Sequence, residues 1–217
     1  FPRIKYEDAI NTYGTDKPDT RFDLNIKILD KELSETEFNV FNNSLKDGGT
    51  IRGLSVPKNE SMTRKFYDKL NEFVRSIGGD GIIPISIDKD LSGIEFEDIK
   101  SPISKFLSVE HVKKIFNIFN SDSDDVILIC AGKKNIVLDC LGQVRNKLAK
   151  DFELIDEEKL NFLFVTDFPL FEKDLESGNW TAMHHVFSSP NDETIKYLDS
   201  DPSKVIGNLF DLVCNGV

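Results

Sequence analysis

Two adjacent histidines, His184 and His185, have the most distinctive chemistry in this sequence. An imidazole ring can donate, accept or carry a proton near neutral pH, and it is also a common metal ligand. A metal site needs more ligands within reach, and the remaining histidine, His111, lies in a different part of the chain, so we expect no metal at the pair. The run Trp180–Phe187 predicts a strand, in which neighbouring side chains point to opposite faces. We therefore expect one histidine to face a ligand while the other packs behind it.

Other polar clusters give weaker indications of chemistry. Asp167 stands where a predicted strand ends beside a proline, and we interpret it as a turn-forming residue. The acidic run at Asp122, Asp124 and Asp125 lacks the glycine and the distal glutamate of a calcium-binding loop. Gly78–Gly81 lacks the lysine and the spacing of a phosphate-binding loop, so we interpret it as a connector. We assign no catalytic residue from these patterns.

Residues from about 22 to 155 predict a self-contained α+β arrangement. The predicted strands, of which the first two would form a hairpin, are Phe38–Phe41, Gly49–Val56, Ile82–Ile87 and Val126–Ala131. The predicted helices run from Ser61 or Thr63 to Ile77, from Val109 to Phe119, and from Asn135 to Lys150. Pro84 favours an edge position or a bulge for its strand. The repeated strand–strand–helix order suggests helices packed on one face of a sheet.

The flanking segments have a different pattern. Tyr6–Tyr13 has helical spacing and ends at Gly14, after which a polar loop continues to Arg21. Three strands and a short helix near residues 193–198 suggest an antiparallel sheet; the strands are Asn161–Phe171, Trp180–Phe187 and Phe210–Val213. The first twenty and the last sixty residues are therefore interpreted as one domain that a second domain interrupts.

Composition limits the class of protein. Of the 217 residues, 39% are hydrophobic and 30% are charged, which is typical of a soluble globular protein. The net charge of −11 counts against a basic face for nucleic acid on this chain alone. No apolar run approaches the roughly 20 residues that span a membrane. The cysteines Cys130, Cys140 and Cys214 form no C-x-x-C pair, so we expect buried free thiols in a reducing cytosol.

Several segments together resemble one family. Phe1–Ile10 followed by Gly14–Arg21 resembles the part of bacterial aspartyl-tRNA synthetases that comes after motif 2. Phe164–Glu172 and Thr181–Pro190 resemble the stretch that re-enters the catalytic domain. Asp211–Val217 resembles the strand that leads into the family's Glu-x-Gly-Gly-Gly-Ser motif. The intervening segment resembles the GAD insertion, a module shared with the B subunit of the tRNA amidotransferase.

The resemblance implies an α+β fold with an inserted domain. We expect a GAD-type α/β two-layer domain at residues 22–155, between antiparallel-sheet segments of a class II catalytic domain at residues 1–21 and 156–217. In that family, motif 1 for dimerisation and the motif 2 arginine would lie before Phe1, and the motif 3 arginine after Val217. The chain would then be an internal fragment that holds the walls of an active site and is inactive alone.

For the parent protein, the resemblance implies a cytoplasmic aspartate–tRNA ligase that is a homodimer without a membrane attachment. Its substrates would be L-aspartate, ATP with Mg²⁺, and tRNA-Asp. His184 and His185 would bind L-aspartate, with His184 as the nearer contact to the substrate carboxylate. Val186 departs from the family pattern, which has proline after the histidine pair, and should loosen the local backbone without removing the histidines.

A non-catalytic binding or assembly module remains the alternative, because the GAD insertion on its own would not be an enzyme. The amidotransferase B subunit shares that module. It would not supply the Asp-Phe-Pro and Met-His-His segments that begin at Asp167 and Met183. An ATP–pyrophosphate exchange assay distinguishes an enzyme from a binding module.

Overall fold

Strands and helices alternate through the residues that a computed structural model of the chain describes, which are 1–174, 177–184 and 187–217. The strands are β1 (Arg3–Lys5), β2 (Lys27–Ile28), β3 (Thr50–Pro57), β4 (Ile83–Ile87), β5 (Ile99–Lys100), β6 (Asp125–Gly132), β7 (Phe162–Thr166), β8 (Phe171–Lys173), β9 (Trp180–Ala182) and β10 (Phe210–Cys214). The α-helices are α1 (Tyr6–Tyr13), α2 (Asp30–Leu33), α3 (Asn39–Lys46), α4 (Arg64–Ser76), α5 (Val109–Phe119) and α6 (Lys134–Asp151). Short 3-10 helices lie at Phe96–Asp98, Ser104–Phe106, Ile195–Tyr197 and Pro202–Lys204.

The chain divides into two compact units. Unit 1 comprises Phe1–Ile10, Asp16–Arg21 and Glu157–Val217, and unit 2 comprises Asn11–Thr15 and Phe22–Asp156. Each unit has its own sheet and helices, which confirms the predicted α+β class. Among the described residues, no helix has both the length and the apolar character that crossing a bilayer requires.

Unit 2 is built on a sheet with the strand order β2-β3-β6-β4-β5, in which each neighbouring pair is antiparallel. The central pair runs from Thr50 opposite Gly132 to Pro57 opposite Asp125. β5 pairs only with the last two residues of β4, Ser86 and Ile87. No backbone N–H is therefore needed for pairing on the outer side of β4 at Pro84. The proline therefore has a local edge position, as its missing N–H predicts.

Helices cover both faces of this sheet. Ile127 and Ile129 of β6 share a core with Phe41 of α3 and Phe116 of α5. Cys130, which points to the opposite face because strand side chains alternate, lines a cavity together with Cys140 of α6. The expectation of helices on one face only is therefore wrong. The apolar run of β6 is continuous because a strand that is covered on both faces needs no polar face.

The predicted strand at Phe38–Phe41 is also wrong, because α3 begins at Asn39. Phe38 and Phe41 meet edge to face with ring centroids 4.9 Å apart, and Leu45 packs against the same core. Positions 38, 41 and 45 lie on one face of a helix. Val40 is exposed. In a strand, residues three positions apart point to opposite faces, so the two phenylalanines could not share one side. The predicted hairpin with β3 does not exist; β3 pairs with β2 and β6.

Other predicted helices are confirmed. α1 and α5 begin and end at the predicted residues. α4 ends one residue before the predicted end at Ile77, and α6 extends one residue beyond the prediction at each end. Ser108 begins α5 with a reciprocal cap, since its Oγ accepts from the His111 backbone N–H and its own N–H donates to His111 Nδ1, both at 3.2 Å. His111 therefore has a structural role in the helix cap.

The sheet of unit 1 has the order β1-β7-β10, with β1 parallel and β10 antiparallel to β7. It is mixed, which corrects the predicted antiparallel arrangement; the three-residue strand β1 is too short to show a pattern in the sequence. Its core consists of Ala9, Leu163, Val165, Phe168 and Val213. The predicted strand Trp180–Phe187 is wrong in its extent: β9 ends at Ala182 and pairs with β8 in a separate hairpin.

Candidate functional site

The candidate site is described from the segment that follows β7, which contains Asp167 and Phe168. Asp167, the first residue after the strand, adopts a left-handed conformation with φ of 59°, which is uncommon for a residue other than glycine. The next residue, Phe168, is fully buried, and its carbonyl accepts from the Gly207 N–H at 2.8 Å. The salt bridge from Lys5 Nζ to Asp167 at 3.4 Å is largely exposed and therefore contributes little to stability.

His184 packs against this buried phenylalanine. The two rings meet edge to face, with centroids 4.8 Å apart and planes at 83°. The preceding residue, Met183, donates its N–H to the Leu170 carbonyl at 3.0 Å, which takes the chain out of β9 into a bend. His184 is exposed, and among the described residues its imidazole nitrogens have no hydrogen-bond partner. The ring thus contacts Phe168 on one side, while the residue as a whole stays exposed. His185, the other predicted site residue, lies outside the described residues.

Tyr6 lies on another side of the same phenylalanine, with its ring centroid 5.1 Å from that of Phe168. Burial raises the pKa of the Tyr6 phenol, and the negative charges of Asp16 and Glu172 raise it further. The hydroxyl is therefore neutral at physiological pH and can donate a hydrogen bond. The charges of these two carboxylates therefore act on the phenol whose ring contacts Phe168.

A fork of hydrogen bonds fixes the polar loop that carries Asp16. Arg21 Nε donates to Asp19 Oδ1 at 3.0 Å and Nη2 donates to Asp19 Oδ2 at 2.7 Å. The same guanidinium contacts Glu157 at 3.3 Å. Asn161 Nδ2 donates to the Thr20 carbonyl at 2.9 Å, which ties the loop to the residue before β7. This network explains why a polar loop is half-buried and ordered in unit 1.

Sequence reasoning predicted a site at His184 and His185 and did not single out Tyr6, Asp16 or Glu172. The tyrosine has the spacing of an ordinary helix core residue, and the carboxylates lie in loops or short strands without a recognisable motif. No spacing rule relates positions 6, 168 and 184, because the fold alone brings Tyr6 and His184 to Phe168. Within residues 1–174, 177–184 and 187–217, no three potential ligands from His, Cys, Asp and Glu are arranged to hold a metal ion.

Comparison with known proteins gives matches to both parts of the chain. Residues 41–141 match the GAD domain family. The aspartate–tRNA(Asp/Asn) ligase of Caldanaerobacter subterraneus subsp. tengcongensis is 44% identical over 216 residues, which is 100% of this chain. The aspartate–tRNA ligases of Halalkalibacterium halodurans and Clostridium perfringens are 40% and 41% identical over 100% and 99% of the chain.

The chain spans 35% of the length of each of these relatives. The similarity covers both units, and it includes the segment of the GAD match as well as the segments that hold Tyr6, Phe168 and His184. Over its whole length the chain is therefore similar to part of the bacterial aspartate–tRNA ligases, and its residues 41–141 match the GAD domain family.

Proposed function

We propose that the whole protein to which this chain belongs is an aspartate–tRNA ligase. The observation that carries this proposal is the identity of 40–44% along the entire chain to proteins of that name. In the first step the aspartate α-carboxylate attacks the α-phosphate of ATP, which gives aspartyl-adenylate and pyrophosphate. In the second step the terminal adenosine hydroxyl of the tRNA attacks the aspartyl carbonyl of the adenylate, which forms the aspartyl ester and releases AMP. Both steps depend on positioning and charge stabilisation more than on a protein nucleophile.

Within this reaction we assign His184 to the binding of L-aspartate, with His185 as the second contact. An imidazole N–H can donate to the substrate's side-chain carboxylate, and protonation would add attraction for the anion. The contact with Phe168 supports this role because it orients the His184 ring and leaves its nitrogens accessible. Asp16 and Glu172 supply negative charge near Tyr6, and such charge suits the substrate's ammonium group.

We further propose that residues 1–21 and 156–217 are parts of the catalytic domain and that residues 22–155 are the inserted GAD domain. The separate sheets of the two units support this division. ATP, Mg²⁺ and a second subunit of a homodimer would be bound mainly by the rest of a cytoplasmic protein. No Mg²⁺ ligand is assigned in this chain. The alternative of a non-catalytic GAD module is favoured by one observation, the family match that lies within unit 2.

Aminoacylation by the full-length protein tests the proposal. Purified enzyme with ATP and Mg²⁺ is expected to charge tRNA-Asp with aspartate, and to show pyrophosphate exchange with aspartate but not with asparagine. The relatives' names differ over tRNA-Asn, so both tRNAs should be assayed. The 217-residue chain alone is expected to form no aspartyl-adenylate. If the full-length protein fails to activate aspartate, the ligase assignment is wrong and the binding-module alternative takes its place.

A further inference from the structure

A cleft of about 780 Å³ in unit 2 gathers positive charge in a chain whose net charge is −11. Its cationic lining residues are Lys27, Lys31, Arg52 and Lys134. Two carboxylates, Asp30 and Glu32, also line it, so the cationic side chains are in excess. This local reversal of the overall charge points to a ligand that is an anion.

Arg52 is the least exposed of these cations. It lies in the middle of β3 and is 7% exposed. Its Nη1 donates a long hydrogen bond of 3.4 Å to the Asn11 carbonyl, whereas its Nε has no hydrogen-bond partner among the described residues. Burial lowers the pKa of the guanidinium, and only the field of Asp30 opposes that effect. A buried donor without a partner is costly, and such a group calls for a bound water, ion or ligand.

The nearby carboxylate of Asp30 does not satisfy Arg52. Asp30 Oδ1 accepts from the Ile51 N–H at 2.6 Å and from Thr50 Oγ1 at 3.0 Å, so this carboxylate is used to hold the start of β3. In the described part of the chain, no salt bridge within 4.0 Å joins either lining carboxylate to Arg52. The guanidinium is therefore free to pair with an anion that enters the cleft.

The beginning of α6 adds to this positive field. Lys134, which lines the cleft, is the first residue of this 18-residue helix. Lys133 at the N-cap makes no side-chain capping hydrogen bond, and the first turn contains no acidic residue. The N–H groups and the dipole at such a helix end favour an anion. Lys27 already donates to the Ile118 carbonyl at 2.6 Å, so the exposed Lys31 and Lys134 are the mobile cations at the cleft.

Asn11 supplies a second unsatisfied group. Its Oδ1 is buried and has no hydrogen-bond partner among the described residues, and Asn11 lines the same cleft as Arg52. A guanidinium fork matches the oxygens of a phosphate, while an amide oxygen needs a donor such as a hydroxyl. We propose that this cleft binds a ribose phosphate, with its phosphate on Arg52 and a sugar hydroxyl on Asn11. Because both unsatisfied atoms are buried, binding requires side-chain rotations that turn them toward the ligand.

A ribose phosphate has two sources, a free ribonucleotide and the backbone of an RNA strand, whose 2′-hydroxyl lies beside the phosphates. The proposal rests on unit 2 alone and does not depend on the ligase activity. Binding to the 217-residue chain would be measured by calorimetry and by NMR shifts, with adenosine 5′-monophosphate, ribose 5-phosphate, inorganic phosphate and adenosine as separate probes. An RNA hairpin and a DNA hairpin of the same sequence form the second arm.

Two exposed lysines offer a matched pair of variants. Lys134 lies in the first turn of α6 and Lys65 lies in the first turn of α4, outside the cleft lining. Lys134→Glu and Lys65→Glu make the same change in net charge, each within the first turn of a helix. We expect Lys134→Glu to weaken binding about tenfold and Lys65→Glu to weaken it less than about twofold. Arg52→Lys keeps the charge but loses the fork, and it should weaken binding while circular dichroism shows a folded chain.

The two arms distinguish the sources. Binding of the mononucleotide and of ribose 5-phosphate, with adenosine inactive, supports a free ribonucleotide. Binding of the RNA hairpin alone, with the DNA hairpin weaker, supports an RNA backbone. The proposal is overturned if neither arm binds, if adenosine binds as well as its phosphate, or if the two lysine variants weaken binding equally. Equal binding of inorganic phosphate and ribose 5-phosphate, or of RNA and DNA, overturns the assigned role of the hydroxyl.

Discussion

The contact between Phe168 and His184 is the one through which the fold orients the imidazole at the candidate aspartate site. Phe168 is fully buried, so its ring is a fixed surface. The edge-to-face geometry at 4.8 Å is worth about 0.5–1.5 kcal/mol beyond area burial. His184 is exposed, and its contact with Phe168 is the interaction that offsets the conformational entropy lost when the ring is ordered. A residue held in this way can bind a ligand without being part of the core.

Replacing the histidines tests their proposed role in the full-length enzyme. His184→Ala and His185→Ala should each raise the aspartate KM, because a lost hydrogen bond to a carboxylate costs about 1–3 kcal/mol. That corresponds to roughly 5- to 150-fold in apparent aspartate affinity, with a much smaller change for ATP. Steady-state kinetics with each substrate varied separately measure the effect. His111→Ala, which alters only the cap of α5, is the control. Normal aspartate KM and kcat in both variants would show that the pair is structural.

The thiols of unit 2 should be unreactive while the chain is folded. Burial raises the pKa of Cys130 far above its usual range, and burial also raises the pKa of Cys140. A raised pKa means less thiolate at any given pH, so alkylation by iodoacetamide should be slow at pH 8 and should still increase above pH 9. Mass spectrometry should find Cys214, which is half-buried, labelled first, and all three cysteines labelled in guanidinium chloride. Fast labelling of Cys130 in the folded chain would contradict this.

At the residue scale, the sequence is informative where a side chain's chemistry is local. Ser108 as a helix cap and Gly14 as a helix stop with φ of 73° both follow from neighbours within a few positions. The effect of the Glu172 charge on the pKa of Tyr6 could not be predicted, because the two positions are more than half of the chain apart in sequence.

At the scale of elements, the closest backbone approach in unit 2 joins the end of α1 to α6. A Cβ on Gly142 would lie 2.9 Å from the Tyr13 carbonyl and 3.0 Å from the Gly14 Cα. Both neighbours are backbone atoms, which cannot move aside as a flexible side chain can. One turn further along α6, the Arg145 guanidinium lies 4.9 Å from the Tyr13 ring and 4.0 Å from the Phe22 ring. The glycine lets this packing form.

Gly142→Ala therefore sets helix propensity against steric strain. Alanine is favoured over glycine within a helix by about 1 kcal/mol, whereas overpacking against backbone costs roughly 1–3 kcal/mol. We expect strain to prevail and the midpoint of thermal unfolding to fall. Gly93→Ala is the control, because no heavy atom lies within 4 Å of the Cβ it would add. Circular dichroism melting curves measure both variants. An increase in the melting temperature with Gly142→Ala would show that the helices separate at little cost.

Prediction of the elements succeeded for long amphipathic helices. It failed where a short apolar run fits the spacing of a strand and of a helix equally well. Phe38, Val40 and Phe41 suit a strand or a helix until the position of the core is known, and tertiary packing selects the helix α3. The strand at Trp180 is cut short because Met183 donates to Leu170 and not to a ladder partner. Neither outcome is visible in local propensity.

At the scale of the whole molecule, the bounds of unit 2 differ from those of the domain predicted at residues 22–155. Unit 2 includes Asn11–Thr15 as well as Phe22–Asp156. The Ile26 N–H donates to the Thr12 carbonyl at 2.8 Å, and Arg145 stacks on Tyr13. The guanidinium of Arg145 is fully buried and also donates to the Leu24 carbonyl at 3.0 Å. A buried cation of this kind depends on every group that shields it. The end of α1 is therefore part of the packing of unit 2.

This leads to a prediction about excised chains. A chain of residues 22–155, the boundary that the sequence suggests, should unfold at a lower temperature than a chain of residues 11–156. Without the first segment, the ring of Tyr13 no longer covers Arg145, and the backbone hydrogen bond of Ile26 is lost. Losses of roughly 2–4 kcal/mol correspond to roughly 5–15 °C in a domain of this size.

Thermal unfolding followed by circular dichroism measures the difference between the two excised chains. The control is Tyr13→Ser in the longer chain, which keeps the chain length and removes the aromatic ring that covers the guanidinium. If cation–aromatic packing is the main cause, Tyr13→Ser should lower the melting temperature of the longer chain by most of the difference between the two excised chains. The reason is that a serine cannot shield a buried charge from water. Equal melting temperatures for the chains 22–155 and 11–156 would contradict the assignment of Asn11–Thr15 to unit 2, and the domain boundary would then lie at residue 22.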